Sequence, residues 1–306
     1  MPQYVRDLAR MLARMSLRGY CAVQRRRSSW HPARPGKAVL CGLCMLLAMF
    51  LVPAAPVTAA PAAAVPEDVA RGRAIAADAA RRASGFVDYQ VDVRMLLVHP
   101  NAGQDVRQMR VRHLELPGGG ERSLVLFDAP ADQRGTALLT HSRPGAEDEQ
   151  WLFLPALNRV KRIAGGHRSG PFVGSEFAFE DLTEQQLGRY TYRWLDVQPQ
   201  DGVPCDRVER VPVDPASGYA RQVAWYDRDE RRLRRIDYFD RRGGALKTYV
   251  ATDFRRHQGR WWRPGRMAML NLLNGKRTEL LWGDFRFATG LDAERDFSVT
   301  ALRRSR

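Results

Sequence analysis

The chain has 306 residues, of which 44% are hydrophobic and 27% charged, so it can bury a sizeable core and is too apolar for a disordered protein. Its 25 glycines and 18 prolines are close to ordinary usage, which excludes collagen-like and low-complexity classes. A formal net charge of +15 would suit a nucleic-acid-binding protein, but the charge is unevenly distributed along the chain.

The first 59 residues have the three-part pattern of an export signal. A basic region precedes the uncharged run 38–52 (AVLCGLCMLLAMFLV), and small residues follow it. This run is shorter than the roughly 20 apolar residues that a membrane-spanning helix needs. We therefore predict a signal peptide at 1–59, cleaved after Ala59, and a linker at 60–66. An uncleaved inner-membrane anchor is the alternative, and a later methionine is an alternative start.

The predicted leader accounts for much of the positive charge and for most of the cysteines. It contains nine basic residues and one acidic residue, so the remaining 247 residues carry a net charge of only +7. Cys205 is the one cysteine of that remaining part, which excludes an internal disulfide there, and no cysteine ends the apolar run as a lipoprotein signal requires. We therefore expect a protein that is soluble in the periplasm and does not bind nucleic acid.

The predicted mature chain begins with one helix and continues as a long series of strands. Residues 67–83 (EDVARGRAIAADAARRA) open with two acids and stop at Ser84-Gly85, which predicts a helix with small apolar side chains and weak attachment. From Phe86 the hydrophobic period becomes two. Further strands are predicted at 105–116, 122–128, 134–142, 150–155, 159–164, 190–199, 204–213, 219–227, 232–240, 244–256, 260–272 and 276–288.

Consecutive strands with short links and no helical crossovers are typical of an antiparallel meander, and a sheet of this size tends to curl. The fold class predicted is mainly β: one strongly curved antiparallel sheet with a few covering helices, in a single domain at 67–306. Residues 165–187 interrupt the meander with a glycine-rich loop, several phenylalanines and a short helical pattern at 180–187. We expect this segment to form a lid over one mouth of the sheet.

Catalytic and metal-binding patterns are weak. The six histidines are scattered without metal-ligand spacing, so neither a metal nor another cofactor is expected. Glu176, Glu180 and Asp181 could act as an acid/base pair of an exported hydrolase, but structural roles at a helix start or beside arginines are the favoured interpretation. The basic stretch 231–242 (RRLRRIDYFDRR) is interpreted as a solvated strand face, with attraction to anionic lipid headgroups as the alternative.

Three motifs resemble the outer membrane lipoprotein-sorting protein family, whose members have a LolA-like domain. They are 134–139 (RGTALL), 151–163 (WLFLPALNRVKRI) and 172–181 (FVGSEFAFED). The resemblance implies an unclosed half-barrel whose apolar inner face binds acyl chains under covering helices. It also implies a monomeric, non-enzymatic periplasmic carrier of a lipoprotein or lipid.

The resemblance further implies a partnership with a membrane exporter of the RND type, and a lipid-sensing or accessory subunit of such an exporter is the alternative function. An acyl carrier needs an apolar cavity and a lid with few strong contacts, so that loading and release stay reversible. Candidate residues of the cavity and lid, each of which could instead be an ordinary core residue, are Val91, Val93, Met95, Trp151, Phe153, Phe172 and Phe177.

Overall fold

A single antiparallel sheet dominates the computed structural model, which describes residues 65–101, 103–183 and 186–304. The predicted signal peptide at 1–59 and most of the linker lie outside these residues. The strands are β1 (Asp88–His99), β2 (Gly103–Glu115), β3 (Glu121–Ala129), β4 (Ala137–Ser142), β5 (Glu149–Leu154), β6 (Arg159–Ile163), β7 (Tyr190–Gln200), β8 (Val203–Pro212), β9 (Tyr219–Asp227), β10 (Leu233–Asp240), β11 (Ala245–His257), β12 (Trp261–Asn271), β13 (Arg277–Trp282) and β14 (Arg286–Phe287).

The strand order is β6-β5-β4-β3-β2-β1-β13-β12-β11-β10-β9-β8-β7, with β14 paired to β1. Apart from β14, neighbouring strands in the sheet are consecutive in the chain, with one exception. That exception is the pairing of β1 with β13, which joins the two halves of the sheet. The strands β6 and β7 are the two edges, so the sheet is not closed into a barrel. The predicted mainly β fold with one large antiparallel sheet is confirmed.

Helix α1 (Glu67–Ala83) has the predicted bounds. Glu67 and Asp68 lie in its first turn and two arginines in its last turn, where they complement the helix dipole. Its buried positions are Gly72, Ile75 and Ala76. At Gly72 a β-carbon would stand 2.6 Å from the backbone nitrogen of Trp194, so the absence of a side chain lets α1 rest directly on β7.

The inner face of the sheet and part of its outer face are covered. The inner face carries the odd-numbered positions of β1 and β2, such as Val93 and Met109, and is covered by α1 and by the connection between β6 and β7. Two short C-terminal helices, α2 (Ala293–Asp296) and α3 (Val299–Arg304), cover the outer face in the region of β2 to β5. Phe297 and Leu302 are fully buried against an outer core that contains Leu114, Leu124, Leu126, Ala137, Leu139 and Phe153.

This outer core corrects the expected position of two predicted cavity residues. In the register, Leu139 pairs with Leu124 and with Trp151, and Ala137 pairs with Phe153. Directly paired residues share a face, so Trp151 and Phe153 lie on the outer face. Alternation along β5 cannot by itself decide which face is inner, because the C-terminal helices give this part of the sheet a second apolar layer.

The connection from β6 to β7 is made of short 3₁₀ turns rather than the helix predicted at 180–187. The turns are Gly165–His167, Phe172–Gly174, Phe179–Leu182 and Leu187–Arg189. Thr183 and Gln186 both have extended backbones, which end the third turn and precede the fourth. We call residues 165–187 the inner segment, of which 184 and 185 lie outside the described residues.

We expect Gly72→Ala to lower the free energy of unfolding by about 1–3 kcal/mol, the usual cost of overpacking, because its methyl group would collide with the backbone of β7. Chemical denaturation measures this loss. Gly166→Ala is the matched control, since no atom lies within 4 Å of the added carbon at that position. A Gly72→Ala protein as stable as the wild type would show that α1 is not seated by this contact.

Candidate functional site

A cavity of about 860 Å³ lies between the inner face of the sheet, α1 and the inner segment. Its volume is within the range of roughly 300–1,000 Å³ that is typical of small-molecule sites. Strands from both halves of the sheet contribute its apolar wall. The aliphatic members of that wall are Val93, Met95, Val111, Met109, Val125, Leu233, Ile236, Met267 and Leu280.

Helix α1 closes one side of the cavity with small side chains. Ala76, Ala79, Ala80 and Ala83 line the cavity at helical spacing, so the helix covers the space without filling it. The alanine-rich composition, which indicated weak attachment at the sequence level, therefore also creates room beneath the helix.

The two ends of α1 are attached to the sheet by polar contacts. Near the start, the Arg71 guanidinium lies 3.6 Å from the centroid of the Trp194 ring. After the last turn, the Trp261 indole donates to the carbonyl oxygen of Ser84 at 3.0 Å, and Arg263 donates to that of Ala83 at 2.9 Å.

The inner segment is held much more firmly than the predicted lid. Phe172, Phe177 and Phe179 are all at least 97% buried. The ammonium group of Lys247 donates to the Asp181 carboxylate at 2.6 Å and to the carbonyl oxygen of Glu176 at 3.1 Å. Because the Lys247 and Asp181 side chains are only 7% and 3% exposed, this ion pair is buried.

The carboxylates considered as an acid/base pair serve as hydrogen-bond acceptors within this attachment. Asp181 also accepts from the Tyr219 hydroxyl at 2.8 Å. Glu180 accepts from the Ser217 hydroxyl at 2.9 Å and from the Gly218 backbone at 3.0 Å, and burial raises the pKa of its carboxyl. These contacts correspond to the structural interpretation of the carboxylates.

Glu176 connects the same segment to the β12–β13 hairpin. Its carboxylate accepts from the Asn271 amide at 2.7 Å, and its backbone N–H donates to the Thr278 hydroxyl at 3.0 Å. The expectation of a lid with few strong contacts is therefore wrong for the inner segment. The glycines of the inner segment permit sharp turns. The residues between these glycines are held in place by buried phenylalanine rings and by hydrogen bonds of the carboxylates.

The predicted cavity residues fall into three groups. Val93, Met95, Phe172 and Phe177 line the cavity. Val91 is buried on the same face of β1 but lies outside the lining, and Trp151 and Phe153 belong to the outer face. Ligand contact at the four lining residues stays a prediction.

A polar patch on the inner wall escaped the sequence analysis. Tyr192, Tyr226, Tyr238 and Tyr249 line the cavity around the buried Arg210 guanidinium. Burial raises the pKa values of Tyr192 and Tyr249, so these phenols stay protonated at neutral pH. The alternation of side chains along β7 to β11 indicates which tyrosines share a face. Strands β8 and β10 contain several arginines, however, and no local feature of the sequence identifies Arg210 as the arginine that faces the cavity.

Arginines are concentrated at the end of the cavity beside the β9–β10 and β11–β12 turns. The whole lining contains eight arginines and three carboxylates. Arg232 lies 4.7 Å from the centroid of the Trp262 ring and donates to Asp227 at 2.5 Å. The basic stretch 231–242 therefore contributes Arg231 and Arg232 to the cavity lining, rather than only a solvated strand face.

Within the described ranges, no group of three or more histidine, cysteine, aspartate or glutamate side chains is arranged to hold a metal ion. No helix in the described part of the chain is long and apolar enough to cross a membrane.

Comparison with solved structures identifies the family. A crystal structure described as an outer membrane lipoprotein-sorting protein domain from Vibrio parahaemolyticus is 39% identical, with a TM-score of 0.75, and the match covers 77% of this chain and 100% of that one. The chain belongs to the outer membrane lipoprotein-sorting protein family. A family model described only as an uncharacterized protein matches residues 119–304, and no curated protein matches.

Two further solved structures are similar to this chain in fold. A DUF1329 family protein from Desulfovibrio piger is 26% identical, has a TM-score of 0.73, and matches over 78% of this chain and 100% of its own. A LolA superfamily protein from Nitrosomonas europaea shares the fold at 22% identity, with a TM-score of 0.61 and coverage of 75% and 98%. The chain therefore has a LolA-like fold.

Replacing Lys247 by methionine should release the inner segment, because the buried Asp181 carboxylate would lose its counter-ion. Removal of one partner of a buried ion pair costs about 3–5 kcal/mol. We expect a lower unfolding midpoint and faster hydrogen exchange at 170–182. Arg255→Met is the control, since its contact with Asp284 at 3.9 Å is exposed and contributes little. Unchanged exchange in the Lys247→Met protein would contradict this role.

Proposed function

We propose that this chain is a periplasmic carrier that binds the acyl chains of a lipoprotein or lipid in the inner cavity and moves this cargo toward the outer membrane. The observation that carries the proposal is the cavity of about 860 Å³ with aliphatic and phenylalanine side chains in its wall. Burial of apolar surface contributes roughly 25 cal/mol per Å², so such a wall favours hydrocarbon over water.

The arrangement of the polar groups supports a carrier rather than a hydrolase. Asp181 is the one member of the carboxylate trio in the cavity lining, and it is already bonded to Lys247 and Tyr219. Acyl binding requires no proton transfer, so these groups can serve the fold. We therefore propose a non-enzymatic function.

The periplasmic location rests on the export pattern at 1–59 and on the lipoprotein-sorting description of the relative from Vibrio parahaemolyticus. The monomeric state and the RND-type exporter as partner stay predictions from the family resemblance. An exporter-bound accessory subunit would use the same cavity, so a test of lipid binding bears on both functions.

Filling part of the cavity from the helix should weaken acyl binding. Ala80 lines the cavity, so Ala80→Trp would place an indole where a chain must lie, and we expect the dissociation constant for a fluorescent fatty acid to rise at least about tenfold. Fluorescence titration measures this constant, and mass spectrometry of lipids that co-purify with each variant identifies the cargo.

Ala70→Trp is the matched control, because Ala70 is an exposed position of the same helix outside the lining. This variant should bind like the wild type. Equal affinity of the Ala80→Trp protein and the wild type, at equal unfolding midpoints, would exclude the cavity as the acyl site.

A further inference from the structure

The cavity has two chemically different ends along the strand direction. At one end, the inner segment contributes Phe172 and Phe177 to the lining, and its Glu176 contacts Thr278, which pairs with Leu97 near the end of β1. At the other end, beside the β11–β12 turn and the end of α1, the lining contains Arg256, Arg260 and Arg263. We call these three residues the arginine mouth. Such a gradient suits an amphipathic ligand whose apolar part lies inside and whose polar part lies at the mouth.

Among the described residues, no acidic side chain is ion-paired with the arginine mouth, although the charges of Glu115 and Glu121 act on Arg263. Among the described residues, no carboxylate oxygen lies within the 4.0 Å ion-pair distance of Arg256, Arg260 or Arg263. The hydrogen bonds of Arg263 go instead to the backbone carbonyl oxygens of Ala83 at 2.9 Å and Trp262 at 3.3 Å.

This pattern contrasts with the arginines of the outer face and sheet edge. Arg207 binds Asp196 at 2.6 Å, and Arg266 binds Glu279 at 2.8 Å, each through two nitrogen atoms. Other arginines are thus ion-paired within the chain, including Arg231 and Arg232 of the cavity lining, whereas among the described residues the three arginines of the mouth form no ion pair. Burial lowers the pKa of Arg263, as expected for a desolvated cation that would gain from a bound anion.

Aromatic rings hold the guanidinium groups in place. Arg263 lies 5.0 Å from the centroid of the Phe86 ring, Arg260 lies 5.1 Å from that of Trp261, and Arg256 lies 6.0 Å from that of Trp262. Cation–π contacts orient a guanidinium group without using its hydrogen-bond donors. Arg256 and Arg260 are exposed, so the hydrogen-bond donors of their guanidinium groups remain available to a ligand.

A local irregularity of β11 directs Arg256 into the cavity. Tyr249 lines the cavity, so strict alternation would turn Arg255 inward and Arg256 outward. Asp253 has a left-handed backbone with a φ of 56°, and beyond it Phe254 and Arg256 line the cavity instead. Gly265 on β12 accommodates this change, since a β-carbon there would lie 3.0 Å from the Asp253 carbonyl oxygen.

We propose that the arginine mouth binds the phosphate of an anionic lipid headgroup while the acyl chains of that lipid occupy the apolar part of the cavity. This inference rests on the proposed acyl-binding function and names the class of its cargo. Guanidinium groups match phosphate oxygens in charge and in bidentate geometry. A mouth whose arginines form no ion pair among the described residues favours an anionic headgroup over a zwitterionic or neutral one.

The test compares lipids that differ only in the headgroup. Isothermal titration calorimetry at low salt would use dihexanoyl phosphatidylglycerol, dihexanoyl phosphatidylcholine and dihexanoylglycerol below their aggregation concentrations, and inorganic phosphate alone. We expect the wild type to bind the anionic lipid about tenfold more tightly than the other two lipids, with a preference that falls as salt increases. Inorganic phosphate should bind far more weakly than the anionic lipid.

The double variant Arg256→Gln/Arg260→Gln should lose this preference while keeping its affinity for dihexanoylglycerol. The control Arg255→Gln/Arg286→Gln removes the same charge from exposed positions outside the cavity lining and should keep the preference. The comparison therefore separates headgroup contact from net charge.

The outcomes separate the two proposals. Binding of all three lipids with equal affinity by the wild type would overturn the headgroup inference and leave the acyl carrier standing. A preference that survives in the double variant, or inorganic phosphate that binds as tightly as the anionic lipid, would also overturn the inference. Failure of every lipid to bind would contradict the acyl-carrier function itself.

Discussion

The buried ion pair between Lys247 and Asp181 is the contact on which the interior of this protein depends. It joins β11 to the inner segment at a point where both side chains are almost fully enclosed. An isolated charge in that position would be strongly unfavourable, so each group requires the other. With the segment fastened there, Phe172 and Phe177 close one end of the cavity, and the space between α1 and the sheet stays available to a ligand.

The two covers of the sheet are attached by different means. The inner segment inserts three phenylalanine rings and adds buried polar contacts. Helix α1 buries only Gly72, Ile75 and Ala76 and is otherwise tied by contacts near its ends and by the ion pair of Asp78 with Arg231 at 3.4 Å. Apolar burial is the larger stabilising contribution in most proteins. Of the two covers, helix α1 therefore buries less apolar surface against the sheet. Its alanine side chains form the surface that a cargo would displace or contact.

Charge is segregated in the same way as apolar surface. Carboxylates pair with arginines on the outer face and along the inner segment, while the arginine mouth is left with aromatic neighbours and backbone carbonyl groups. The positive charge of the described residues is thus not only a solvated surface. Eight arginines line the apolar cavity, and water screens the half-buried Arg263 less than it would screen a fully exposed arginine.

Local sequence patterns determined most of the secondary structure, because hydrophobic alternation, turn residues and helix-end charges act within a few positions. They predicted α1 at its observed bounds, the strand series and a curved antiparallel sheet, and they placed Val93, Met95, Phe172 and Phe177 on the inner side. The family resemblance, and not a local pattern, implied that the sheet is unclosed. Tertiary structure alone decided which face of β5 is inner, since Trp151 and Phe153 pack under helices about 140 residues later in the chain. It also decided that Arg256 rather than Arg255 faces the cavity, and that the glycine-rich segment is fastened rather than loose. These outcomes depend on strand register, on one left-handed residue and on partners distant in sequence, and such long-range contacts leave no periodic signal in the local sequence.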